Sequence, residues 1–150
     1  MQKLTPFLMF NKGAVEAIKF YASVFKDAKV TNMLFGPDGN AMGGTIEIGG
    51  QQIYTYNGGP DFSFTMGSSL MVAADTQDEI DHLWDNLSDG GERLDCGWVS
   101  DKFGVYWQIT PTILMNYLAD PDREKADRVF QAMLKMKKII IGDIEKAAAG

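Results

Sequence analysis

The sequence predicts an α+β chain of two tandem βαβββ modules followed by C-terminal helices, and three observations carry that reading. An apolar strand start followed by a helix-period stripe occurs twice. Its corresponding positions lie a constant 62 residues apart: Leu8 and Leu70, Ile18 and Ile80, Tyr21 and Leu83, Phe25 and Leu87. After each helical stripe come short strand-like runs punctuated by glycine turns. The last stretch, residues 120–150, is helical in pattern. Periodicity by itself is weak, but a conserved strand-to-helix distance points to duplication.

The first module begins with Leu8-Met9-Phe10 as a strand. Ala14, Ile18, Tyr21, Ala22 and Phe25 then mark one face of a helix that starts after the turn Asn11-Lys12-Gly13. A strand is expected over residues 28–35, a turn at Gly36-Pro37-Asp38-Gly39-Asn40, and a second strand over 41–48, where Ile46 and Ile48 alternate around Glu47. Gly49-Gly50 suits a tight hairpin, and residues 51–57 return as the last strand. Gly58-Gly59-Pro60-Asp61, with Phe62 and Phe64, joins the halves.

The second module repeats the order. Leu70-Met71-Val72 begins a strand, and Thr76-Gln77-Asp78-Glu79 reads as a capping box for a helix carrying Ile80, Leu83, Trp84 and Leu87. Gly90-Gly91 ends it, and three shorter strands are expected around Arg93, Trp98 and Tyr106. Both helices are short, so burial of the apolar stripe against a sheet must stabilise them. In the tail, Asp120-Pro121 is a cap-plus-first-turn pair for a helix with Ala126, Val129, Phe130, Met133 and Met136 on one face. Ile139-Ile140-Ile141 would be costly if exposed and is expected to dock on the domain or on a second chain, before a final helix over about 143–149. The expected boundaries are a single domain over 1–150, with module 1 over 3–58, a linker over 59–66, module 2 over 67–119 and a helical tail over 120–150.

Composition narrows the function classes. A hydrophobic fraction of 45% and an aromatic fraction of 11% argue for a packed core. No apolar run approaches the roughly 20 residues that span a bilayer, so no membrane partner is expected. The lone Cys96 excludes an internal disulfide framework and, with no signal-peptide pattern at the N-terminus, points to a reducing, cytoplasmic setting. Residues 1–120 hold 7 Lys/Arg against 15 Asp/Glu, and residues 121–150 hold 7 against 5. An acidic body repels phosphate backbones, so nucleic acid is not an expected partner. Lys135-Met136-Lys137-Lys138 reads as a solvated helix end.

The residues that often carry chemistry are sparse. The single histidine, His82, adjoins the apolar stripe of the second helix and should point sideways or outward. Cys96 has acidic neighbours, Asp95 and Asp101, which would raise a thiol pKa, and no second histidine exists to pair with it. Glu47 is a strand carboxylate expected to face solvent. No paired carboxylates at useful spacing, Ser–His–Asp set or phosphate loop occurs, and no catalytic residue is assigned.

Five segments carry a family resemblance: Thr5-Pro6-Phe7-Leu8; residues 17–25 (AIKFYASVF); Tyr56-Asn57-Gly58-Gly59-Pro60; residues 96–108 (CGWVSDKFGVYWQ); and residues 131–138 (QAMLKMKK). On these the chain resembles the PhnB-like family, often labelled 3-demethylubiquinone-9 3-methyltransferase. That family lies within the vicinal oxygen chelate superfamily of glyoxalase I, bleomycin-resistance proteins and extradiol dioxygenases. The resemblance implies a pair of half-barrels, each curling around a cavity, and a homodimer that leaves open whether modules are exchanged.

The superfamily also implies metal ligands on the first and last strands of each module, typically His and Glu. In this sequence the matching positions are Tyr54 and Gln108 on the last strands, and Thr5 or Pro6 and Gly67 or Ser68 on the first. None is a histidine or a carboxylate, so no metal and no cofactor is expected. With Gln108 at a ligand position, alternation puts Tyr106 on the same face and Trp107 on the other. Tyr54 and Tyr56 likewise share a face opposite Ile53 and Thr55. The implied site is a polar–aromatic pocket of Tyr54, Tyr56, Tyr106 and Gln108 for an unidentified small molecule. The expected function is non-metal small-molecule binding. The alternative is an enzyme of the same superfamily, either a metal-dependent isomerase or lyase, or a methyltransferase as the label says. Methyl transfer gains nothing from the glycine pairs, which lie in strand or hairpin contexts rather than at a strand-to-helix turn.

Overall fold

The computed structural model describes residues 2–150. Two compact units divide the chain, one ending at Ser63 and the other beginning at Phe64. The first holds β1 (Phe7–Phe10), α1 (Ala14–Val24), β2 (Lys29–Phe35), β3 (Ala41–Ile48) and β4 (Gln51–Asn57). Its strands lie in the order β1-β4-β3-β2, with β1 parallel to β4 and the other pairs antiparallel.

Ala14, Ala17, Ile18, Tyr21 and Val24 of α1 are buried, a stripe at helical spacing that covers one face of the sheet. Beneath it Ile46, Ile53 and Thr55 are buried. Each large apolar side chain so removed from water contributes on the order of 1.5–3 kcal/mol. The close approach of helix and sheet uses Gly44 of β3, since a Cβ there would sit 3.0 Å from Ile18 Cδ1 and nearer still to the Asn32 carbonyl. The helix start, indistinct in the sequence, is capped from a distance: Asn57 Oδ1 at the end of β4 accepts the Ala14 N–H at 2.9 Å.

The second unit repeats this arrangement with β5 (Leu70–Ala73), α2 (Gln77–Leu87), β6 (Glu92–Arg93), β7 (Trp98–Ser100) and β8 (Tyr106–Thr110), in the order β5-β8-β7-β6. Both modules are therefore βαβββ as expected, and neither sheet closes into a barrel. The capping box is present: Thr76 Oγ1 accepts the Glu79 N–H at 3.2 Å, and Glu79 Oε2 accepts the Thr76 N–H at 3.3 Å. Ile80, Leu83, Trp84 and Leu87 are buried against the sheet, where Val99, Trp107 and Ile109 are buried in turn.

The C-terminal part departs from expectation in three places. A helix the pattern did not reveal, α3 (Thr112–Leu118), follows Pro111 directly. Its first amide is satisfied by a distant group, Asp75 Oδ1, which accepts the Thr112 N–H at 2.8 Å. The cap of α4 (Arg123–Met133) is Asp122, whose carboxylate accepts the Glu124 and Lys125 N–H groups, while Asp120 instead pairs with Lys125 Nζ at 2.8 Å. The last helix, α5 (Ile141–Ala149), starts two residues early. The isoleucine run docks on its own chain: Ile139 is 1% exposed and packs with Leu114, Val129, Ile144 and Ala148. It therefore supplies no bare patch from which a dimer can be inferred. Among the described residues no helix is long and apolar enough to cross a membrane.

Candidate functional site

In each sheet the face away from the helix carries the side chains expected at the site. On β4, Ile53 and Thr55 are buried toward α1 while Tyr54 and Tyr56 are half-buried on the opposite face. Strand register sets Phe7 of β1 and Thr45 of β3 on either side of Tyr54, and Met9 beside Tyr56. The Phe7 and Tyr54 rings meet edge to face at 6.1 Å between centroids.

On β8 the alternation is the same. Trp107 and Ile109 are buried toward α2, and Tyr106 and Gln108 are half-buried on the other face. Gln108 is flanked in register by Met71 of β5 and Trp98 of β7. Its Nε2 donates to Ser69 Oγ at 2.8 Å. The resemblance pointed to Tyr54 and Gln108, and alternation within each strand added Tyr56 and Tyr106. Alternation gave no sign of Phe7 or Met71 and did not single out Trp98, because which strands lie side by side is a long-range property.

The polar tips on these faces are not fully enclosed. The hydroxyls of Tyr54, Tyr56 and Tyr106 and the Oε1 of Gln108 have no hydrogen-bond partner among the described residues, yet no buried polar side-chain atom is left without one. A buried phenol or amide oxygen without a partner would cost on the order of 1–3 kcal/mol, so exposure of the tips is what the physics requires. The Tyr54/Tyr56 pair belongs to the first unit and the Tyr106/Gln108 pair to the second.

The four positions matching superfamily metal ligands offer a phenol, a carboxamide and first-strand groups without formal charge. Thr5 and Pro6 precede β1 and Gly67 and Ser68 precede β5, rather than lying on the first strands: the Tyr54 N–H donates to the Pro6 carbonyl at 2.9 Å, and Gln108 Nε2 meets Ser69, while Phe7 and Met71 stand in register with Tyr54 and Gln108. The donor chemistry does not fit a divalent cation, whose charge calls for carboxylate, imidazole or thiolate. Among the described residues no group of three His, Cys, Asp or Glu side chains is placed to hold a metal.

The remaining chemical candidates have structural surroundings. His82 is exposed on α2, with Nδ1 3.3 Å from the Asn86 amide. Glu47 pairs with Lys29 at 2.9 Å. Burial, and secondarily the charge of Asp95, pushes the Cys96 thiol up from its ordinary pKa, the wrong direction for a nucleophile. Cys96 has a left-handed backbone, φ 58°, in a turn stitched to the tail: the Cys96 N–H donates to the Met136 carbonyl at 2.8 Å and the Gly97 N–H to that of Lys137 at 2.6 Å.

Comparison with known proteins agrees with the topology. A family profile described as 3-demethylubiquinone-9 3-methyltransferase matches residues 2–110, from the N-terminus through β8. A PhnB protein from Bacillus cereus is 31% identical, with a TM-score of 0.68, over 74% of this chain and 100% of that one. Protein PA1353 from Pseudomonas aeruginosa shares the fold at 18% identity, with a TM-score of 0.61, over 74% of this chain and 98% of that one. No curated protein matches the chain. The helices α3 to α5 lie beyond the residues the profile matches. Through β8, where profile, identity and topology coincide, the chain belongs to the PhnB-like family described as 3-demethylubiquinone-9 3-methyltransferase.

Proposed function

We propose that the protein binds a small, flat, amphipathic molecule without a metal, each sheet curling as a half-barrel whose helix-free face supplies Tyr54 and Tyr56 or Tyr106 and Gln108. One observation carries this reading. These four side chains keep their polar tips from full enclosure on faces that also carry Phe7, Met9, Thr45, Met71 and Trp98, a mixture suited to stacking and a few directed hydrogen bonds. Family membership adds a homodimer as the working assembly, and the resemblance on which it rests leaves the exchange of modules open.

Backbone amide spectra recorded against a library of flat aromatic fragments test this reading. Shifts should concentrate at residues 54, 56, 106 and 108 and their strand neighbours. Shifts confined to other surfaces, or none with any fragment, would overturn it.

The family description favours a second reading, methyl transfer. The three strand-to-helix turns, Asn11-Lys12-Gly13, Ala74-Asp75-Thr76 and Pro111, lack the glycine-rich strand-to-helix turn of a Rossmann-type S-adenosylmethionine site, and Gly49-Gly50 forms the β3–β4 hairpin. Calorimetry with S-adenosylmethionine separates the two: binding at micromolar levels would favour the second reading, and silence at millimolar levels the first.

A further inference from the structure

Gln108 stands at the middle of the helix-free face of the second sheet, between Trp98 and Met71 in register. Its carboxamide is held by Ser69, whose Oγ accepts from Nε2 at 2.8 Å. That contact engages one N–H at the donor end of the amide. The carbonyl end, Oε1, has no partner among the described residues and, since no buried polar side-chain atom lacks one, it is open. An amide whose nitrogen is engaged and whose oxygen is open presents two lone pairs to whatever lies on the face. Directly opposed residues of neighbouring strands have Cβ atoms only about 4.5–5.5 Å apart, so the half-buried Trp98 stands beside Gln108 on this face. Met71, 57% exposed on the other side, offers a pliable apolar contact.

Resting on the small-molecule reading above, we infer that the ligand of this face is an aromatic compound bearing a hydroxyl or N–H donor. Its ring lies against Trp98 and its donor is received by Gln108 Oε1. Ser69 is the positioning residue, because its contact with Nε2 anchors the amide and leaves Oε1 as the end offered to the ligand. An ether or ester in place of the donor brings an acceptor up to an acceptor, which costs the hydrogen bond and leaves Oε1 desolvated.

The test compares 2-naphthol with 2-methoxynaphthalene by calorimetry on the full chain, near pH 6.5 where the naphthol is un-ionised. The hydroxyl compound should bind roughly tenfold or more tightly, the scale of one hydrogen bond made or lost. The ratio should fall to near unity in Gln108→Leu and shrink in Ser69→Ala, while Trp98→Leu should weaken both compounds together. Equal affinity for the two probes, or a ratio unchanged in Gln108→Leu, would overturn the inference and leave the small-molecule reading standing. Tighter binding of the ether would mean the amide presents its nitrogen and would likewise overturn it. Failure of both probes in a chain whose spectra respond to no fragment would remove both readings. Loss of probe binding on raising protein concentration would show that a second copy, not a small molecule, covers the face.

Discussion

Trp107 donates its indole N–H to the Asp101 carboxylate at 2.9 Å, joining the middle of β8 to the turn that precedes it. The same carboxylate accepts the Phe103 N–H at 2.9 Å and the Val105 N–H at 3.0 Å, and Asp101 is 3% exposed. The turn leading into β8, and with it the phase of Tyr106 and Gln108, thus depends on a buried acceptor serving three donors. Asp101→Ala strands all three and should cost about 3 kcal/mol, with Asp101→Asn intermediate because its amide can accept only at one oxygen. Trp107→Phe removes one donor and some packing and should cost less than Asp101→Ala. Urea denaturation, with a double-mutant cycle between Asp101 and Trp107, measures the coupling. A cycle with no coupling energy would contradict the shared-acceptor account.

Gly97 and Ile139 make a second long-range joint. A Cβ on Gly97, whose φ is 82°, would sit 2.9 Å from Ile139 Cγ1 and 2.8 Å from the Ile109 carbonyl. Gly97→Ala therefore meets both backbone strain and a collision with a buried residue. Ile139→Ala leaves a cavity in the α3–α5 cluster and should cost about 2–5 kcal/mol. In hydrogen exchange, both variants should lose protection first at the Cys96 and Gly97 amides that bond to the Met136 and Lys137 carbonyls.

Local signals in the sequence carried the modules well, because the stripe of α1, the capping box of α2 and the alternation of β4 and β8 are each settled within a few residues. The α4 cap was misplaced by two residues between neighbouring aspartates, but other features the pattern hid depend on partners far away in sequence. The first amide of α1 is capped by Asn57 and that of α3 by Asp75, so neither helix shows its own start signal. The isoleucine run was expected to dock on the domain or on a second chain; Ile139 takes the first course, in a groove lined by Leu114 and Val129 that forms only when three helices meet. At the site, alternation placed four polar residues on their faces, but Trp98 and Met71 required the pairing of three strands.

The tail is also tied to α2 electrostatically. Lys138 Nζ lies 2.7 Å from Asp81 Oδ1, and Gln77 bridges Asp81 to the backbone of residues 139 and 141. The hydrogen bond from Lys138, followed by that from Gln77, holds the Asp81 carboxyl below its usual range. A carboxyl with a lowered folded pKa contributes stability above its unfolded value and loses it as pH falls through the folded one, here below about pH 4. Thermal midpoints compared at about pH 6 and pH 3 should therefore drop less in Asp81→Asn than in the parent chain.

The thiol of Cys96 should be a slow nucleophile. Burial first, and Asp95 second, keep it protonated beyond the ordinary thiol range. Alkylation by iodoacetamide near pH 8 should run well below the rate of the urea-unfolded chain and should still be climbing past about pH 9. A native rate equal to the unfolded one would place the thiol in water.

The proposal of a metal-free site at Tyr54 and Gln108 is tested most directly by elemental analysis of protein purified without chelator and then dialysed against zinc, nickel and manganese. The neutral donor set predicts far less than one divalent ion per chain, with the same trace content in Tyr54→Phe and Gln108→Leu. One stoichiometric ion per chain, lost when Gln108 is replaced by leucine, would contradict the account.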